Sequence, residues 1–141
     1  VHYTALTLAQ DGTPLIAFYN SKTTSLNVAS CNDFECSSSV VTTIDNRGYT
    51  GGYPSIATGI DGLPVLSFYE EERAILQFAK CGDIKCRDRF RIQIETLDSS
   101  SSDIGRYNYI RIGTDGNPII MYVDEANGWM KVLHCSTNNC A

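Results

Sequence analysis

Three stretches of the chain are variants of one phrase: DGTPLIAFY from Asp11, DGLPVLSFY from Asp61 and DGNPIIMYV from Asp115. The shared register runs well beyond the phrase. Counting from each aspartate, a cysteine follows 20 positions later (Cys31, Cys81, Cys135) and a second follows 25 positions later (Cys36, Cys86, Cys140). Eight positions before each aspartate stands a tyrosine: Tyr3, Tyr53 and Tyr107. Three copies with fixed internal spacing describe one structural unit built three times. Such a unit is too small to bury its own apolar surface and must share a core with its neighbours. The copies divide a single repeat domain into residues 1–48, 49–102 and 103–141, and their aspartates lie 50 and 54 residues apart.

Each copy reads as β-structure. A first strand (TALTLAQ, PSIATGI, NYIRIGT) alternates apolar and polar residues and runs into Asp-Gly, a strong short-range hairpin signal. A two-residue type I′ turn is the expectation there. The proline two places later fits only the start or the edge of a strand, so a second strand begins at it. That second strand is apolar at nearly every residue and therefore covered on both faces. A polar loop, a third strand ending at the first cysteine, and a fourth strand (VVTTID, RIQIETLD) complete the unit; no segment keeps a helical period. In the third copy the sequence ends after Cys140, so its sheet is expected to hold three strands.

Small antiparallel sheets covered on both faces must stack on similar sheets. Radial stacking of four-stranded sheets, one per repeat of roughly 40–50 residues, predicts an all-β protein made of β-propeller blades. A ring needs about four to eight blades. Three are therefore expected to belong to a larger propeller, completed by further blades outside this chain or by self-association. The alternative is a β-trefoil, which also uses three repeats in a chain of this size but needs twelve strands where eleven are legible.

The pattern resembles the Asp-Gly/Cys-Cys β-propeller-type repeats of extracellular, bacterial-type proteins. More distantly it resembles the Asp-box propellers of sialidases, in which one residue separates the Asp and Gly that are adjacent here. The sialidase resemblance would imply an arginine triad, a tyrosine–glutamate nucleophile pair and an acid aspartate. Tyr69-Glu70 is the one dipeptide of that kind, and Tyr69 is itself a repeat position, matched by Tyr19.

The six cysteines form three C-x₄-C pairs. Structural zinc needs a second pair or a histidine pair to close a tetrahedron, whereas here one pair falls in each unit and only His2 and His134 exist. Local disulfides Cys31–Cys36, Cys81–Cys86 and Cys135–Cys140 are expected, each stapling a hairpin and each worth about 2 kcal/mol. Regular disulfides place the protein outside the reducing cytosol, whether secreted, periplasmic or surface-displayed. Eleven basic and sixteen acidic residues leave a net charge of −5 with no basic stripe, which disfavours a nucleic-acid partner. The apolar runs are too short for a membrane span. No Ser/His/Asp grouping, phosphate loop, zinc motif or calcium loop is present, so neither an enzyme nor a cofactor or metal requirement is expected.

Repetition also separates scaffold from site. Asp-Gly-x-Pro, the tyrosine before the first strand and the cysteine pairs occur in every copy and read as scaffold. The loops that differ between copies gather on the opposite rim, where binding residues concentrate. Arg47, Tyr49, Arg73, Arg106, Asp124, Glu125 and Trp129 stand there. Trp129, the only tryptophan, is either a stacking platform for a sugar or protein, or a packing residue where the other copies have Ser25 and Ile75. Arg111 breaks the pattern of the innermost strand, where Thr7 and Ala57 are its counterparts. It is expected either to face a central channel and an anionic ligand or to form a salt bridge. The leading functional expectation is an extracellular recognition module for a glycan or a protein surface. The alternatives are a structural subunit assembling by strand complementation at its incomplete third sheet, and a fragment of a glycosidase-type propeller.

Overall fold

The computed structural model describes residues 2–140. Each repeat folds into its own antiparallel sheet, with strands paired in chain order. Sheet 1 holds β1 (His2–Leu8), β2 (Pro14–Asn20), β3 (Ser25–Cys31) and β4 (Ser39–Asp45). Sheet 2 holds β5 (Thr50–Thr58), β6 (Pro64–Glu70), β7 (Ile75–Lys80) and β8 (Gln93–Asp98), with a short 3-10 turn, Arg89–Arg91, before β8. Sheet 3 holds β9 (Ile104–Ile112), β10 (Pro118–Asp124) and β11 (Trp129–His134). The fold is all-β. Among the described residues no barrel joins the repeats, so the trefoil alternative is set aside: its strands would have to pair between copies.

The sheets stack face to face in chain order. Leu15, Ala17, Leu26 and Val28 of sheet 1 meet Ile56, Leu66, Phe68 and Ala79 of sheet 2 in one core. Val65, Leu76 and Phe78, on the other face of sheet 2, meet Ile110, Ile120 and Tyr122 of sheet 3 in a second. Sheet 2 is therefore covered on both faces, and every residue of β6 and β7 is buried. The first strands of the three sheets run next to one another, β1 beside β5 and β5 beside β9. Polar groups stitch this shared edge. Ser67 Oγ donates to Asn108 Oδ1 at 2.6 Å, and the Ile110 amide donates to Ser55 Oγ at 3.0 Å. Gly51 lies so close to sheet 1 that a Cβ there would stand 2.5 Å from that of Leu26. This glycine exists for backbone approach.

Among the described residues, the outward faces of sheets 1 and 3 have no such cover. On sheet 3, pairing places Tyr109, Met121, Val123, Met130 and Val132 on one face, where Tyr109, Met121, Met130 and Val132 are exposed. Their repeat counterparts Leu26 and Leu76 (for Met130), Val28 and Phe78 (for Val132) are fully buried by the following sheet.

The turn chemistry differs from the type I′ expectation. Only the glycine of each Asp-Gly pair has positive φ: +86° at Gly12, +80° at Gly62 and +82° at Gly116. The Gly12 amide donates to the Ala9 carbonyl at 2.9 Å and the Ala9 amide to Thr13 at 2.8 Å, as in a type I turn closed by a glycine bulge. The aspartate has another task. Its Oδ1 accepts the amide two residues on, at 3.0 Å in all three copies (Thr13, Leu63, Asn117). This local bond holds the turn. The Thr13 hydroxyl and amide, with Lys85 beyond them, hold Asp11 down at about 2. The three disulfides form as expected, with Cα–Cα separations of 4.8, 5.1 and 4.9 Å.

Candidate functional site: an arc of tyrosines on the loop rim

The Asp-Gly turns and disulfide loops occupy one rim of the sheets; the β2–β3, β6–β7 and β10–β11 loops and the links between sheets occupy the other. On this loop rim the repeat tyrosines converge. The ring centroids of Tyr3 and Tyr53 lie 4.5 Å apart, those of Tyr53 and Tyr107 4.7 Å, with tilts of 40° and 56°. All three residues take a left-handed backbone, at φ +53°, +49° and +54°. Each lies where the pairing of its strand skips register. The bulge turns the side chain out of the sheet's alternation and toward its neighbours in the next repeat. Tyr3 is 50% exposed and Tyr107 55%. The Tyr53 hydroxyl between them raises the pKa of both.

Two hollows flank the arc. One, of about 310 Å³, is lined by Tyr3, Tyr53, Tyr107, Asn108, Tyr109 and Met121 among others. The second, of about 140 Å³, brings Tyr19, Tyr49 and Tyr69 to the arc together with Glu71 and Arg106. Arg106 is held over the Tyr69 ring, its Cζ 4.9 Å from the centroid, by an ion pair with Asp103 at 3.2 Å. The Tyr69 hydroxyl donates to the same carboxylate at 2.8 Å, and burial followed by this bond pushes Tyr69 up to about 12. The hydrogen bond to Asp103 raises Arg106 in turn. The result is a fixed cation beside aromatic faces, a surface suited to stacking and hydrogen bonding.

Of the residues singled out from sequence, Tyr49 and Arg106 join this cluster. The others stand apart. Arg47 makes two bonds, of 2.9 and 3.0 Å, to the buried Asp45. Arg73 is tied to the buried Glu70 at 2.8 Å. Asp124 is itself buried and accepts from Asn127 and Ser101, so it closes the β10–β11 loop as Asn20 and Glu70 close theirs. Glu125 is exposed beside it. Trp129 is 62% exposed at the start of β11, two strands outward from β9. Its counterparts Ser25 and Ile75 are buried.

Arg111 makes no salt bridge among the described residues. Its guanidinium lies over the Tyr109 ring, 4.3 Å from the centroid, on the uncovered face of sheet 3, and bonds the Tyr109 hydroxyl. Tyr69 and Glu70 are neighbours on one strand, so their side chains leave on opposite faces. One bonds Asp103, and the other caps a loop.

Tyr3, Tyr53 and Tyr107, one in each copy, read as scaffold. Yet a residue repeated on the adjoining first strands of neighbouring sheets is brought next to its own copies, and repetition is the sequence signal for the arc.

No protein-family model and no curated protein matches this chain. Among solved structures it is similar to the crystal structure of a protein of unknown function from Dyadobacter fermentans DSM 18053. The likeness has a TM-score of 0.67 at 14% identity over 92% of this chain and 35% of that one. It is a likeness of fold, and the chain spans about a third of that protein's length.

Proposed function

We propose that the three sheets are consecutive blades of a propeller-type array and that the chain is an extracellular binding module holding a glycan on the tyrosine arc. Three features support the blade reading: one sheet per repeat, stacking in chain order, and first strands side by side. The disulfides favour an oxidising compartment. No helix is long and apolar enough to cross a membrane among the described residues. The observation that carries the binding role is the stacking of tyrosines from three repeats, the outer two half-exposed and all three in a backbone conformation unfavourable for their residue type. Strain of this kind concentrates at binding sites.

Calorimetric titration with oligosaccharides of a panel covering neutral and acidic sugars tests it. Saturable binding should be lost in Tyr53→Ala and in Arg106→Gln, both with the wild-type far-UV spectrum. Binding to a protein surface instead would show as capture insensitive to sugar competition but sensitive to the same two changes. No binding by any panel member, or binding indifferent to both changes, overturns the role of the arc.

The uncovered face of sheet 3 favours a second reading, compatible with the first. Further units of the same repeat stack on it, from a longer array or another copy, while the edge of β11 accepts a fourth strand.

A further inference from the structure

The second copy is four residues longer than the first between its second cysteine and the next repeat tyrosine. Pairing locates most of the difference. Ser30 pairs with Val40, four residues after Cys36, whereas Lys80 pairs with Gln93, seven after Cys86. The three extra residues match the length of the 3-10 turn Arg89–Arg91, capped by Asp88, whose side chain accepts the Phe90 amide. The turn buries none of its residues. Phe90 is 87% exposed, the highest value of any large apolar residue among the described residues.

Charge collects around this ring. Residues 80–91 hold five of the eleven basic residues of an acidic chain and two of its sixteen acidic ones. Three of the five are engaged. Lys80 pairs with Asp61 at 2.8 Å, Lys85 with Asp11 at 3.2 Å, and Arg87 bonds Ser30 and Asn32. Arg89 and Arg91 meet no carboxylate among the described residues. The Arg89 guanidinium lies 5.3 Å from the centre of the Phe90 ring. Phe90 and Arg91 form a ridge between two hollows. One, of about 400 Å³, is lined by Leu63, Lys80, Gly82, Arg91 and Gln93. The other, of about 540 Å³, runs past Asp83, Arg87 and Arg89.

We propose that this Arg-Phe-Arg ridge on the turn rim is a second binding site, for a carboxylated polysaccharide. Guanidinium forks bind carboxylates bidentately. A free aromatic face beside them takes the apolar side of a sugar ring, and hollows on both sides of the ridge let a linear chain lie across it. A protein-binding hot spot would set its aromatic in an apolar surround. Here the ring stands alone among charges. The site is separate from the tyrosine arc and stands or falls independently of it.

The test is titration of the 141-residue chain with polygalacturonate oligomers, with dextran as the neutral control and poly-glutamate as the acidic-polypeptide control. Binding to polygalacturonate should weaken as salt rises, with none to dextran. Arg89→Gln/Arg91→Gln should weaken it at least about ten-fold, the loss of a charge-assisted contact. Phe90→Ala should weaken it while keeping the salt dependence. Tyr53→Ala should leave it unchanged. Because the turn buries no side chain, the melting temperatures of these turn variants should match the wild type. No binding at low salt, equal binding to poly-glutamate, or indifference to the turn variants would overturn the assignment.

Discussion

Tyr3, Tyr53 and Tyr107 hold φ near +50°, a region that costs a side chain with a Cβ about 1–2 kcal/mol and costs glycine nothing. If stability alone decided these positions, glycine would serve. The test is Tyr107→Gly. Relief of backbone strain should offset the lost ring contacts and the extra freedom of the unfolded chain, leaving stability within about 1 kcal/mol of wild type. Urea denaturation reads this directly. A loss of several kcal/mol would make the tyrosine a structural residue and remove the argument from strain. At this scale the sequence is legible only in part. The spacing of the tyrosines is plain, but their left-handed backbone and mutual stacking arise from register skips and sheet stacking, which no single copy contains. Arg47, Arg73 and Asp124 mislead for a related reason: a charged residue in a loop reads as free until its buried partner is known.

At the scale of elements, strand order was readable because Asp-Gly, proline and cysteine punctuate every copy, but the extent of the first strands was not: β5 and β9 begin four residues before PSIATGI and NYIRIGT, on the far side of the tyrosine bulge. The turn type was not readable either. Asp-Gly fits two hairpin geometries, and the amide bond to the aspartate two residues on decides between them. Nor does sequence reveal which element ends fasten one sheet to the next. Asp98, at the end of β8, accepts the Tyr122 hydroxyl from β10 at 2.7 Å, the Lys131 ammonium from β11 at 2.9 Å and the Ser100 amide at 2.9 Å. Burial alone would raise its pKa; the bonds from Ser100, Lys131 and Tyr122 outweigh it and hold the carboxyl well below its usual range. A carboxylate depressed in the folded state stabilises the fold above its unfolded value near pH 4, and that contribution is lost as pH falls through the folded value. Asp98→Asn should therefore cost about 2 kcal/mol at pH 7, where hydrogen bonds to a charged group are broken. The gap between the two proteins should narrow below about pH 4. Parallel urea titrations at neutral and acid pH check both parts, and a gap independent of pH would mean that the clamp is not ionic.

For the whole molecule, the decisive contrast is between sheet 2, covered twice, and its neighbours, each covered once. The repeat makes the two uncovered faces different and matching. Sheet 3 presents Met130 and Val132 at positions that receive the following sheet in the first two copies. Sheet 1 presents Leu6, Leu8 and Val41 on the face that in sheet 2 packs back on the sheet before. A contact between unlike faces is head-to-tail, so copies of this chain would join in closed rings, two chains being the smallest, or in open series. Exposed apolar area of this kind drives association. Light scattering on the 141-residue chain should give a mass that rises with concentration. Met130→Lys/Val132→Lys should return it to a monomer without lowering its melting temperature, because neither side chain contributes to either core. Two copies closing on each other would place six sheets around one axis, within the range of about four to eight that closes a propeller. They would set six repeat tyrosines around the same rim. A mass fixed at two chains would thus tie assembly to the tyrosine site. An unlimited series would separate the two, and a monomer at every concentration would mean that these faces are not interfaces between copies.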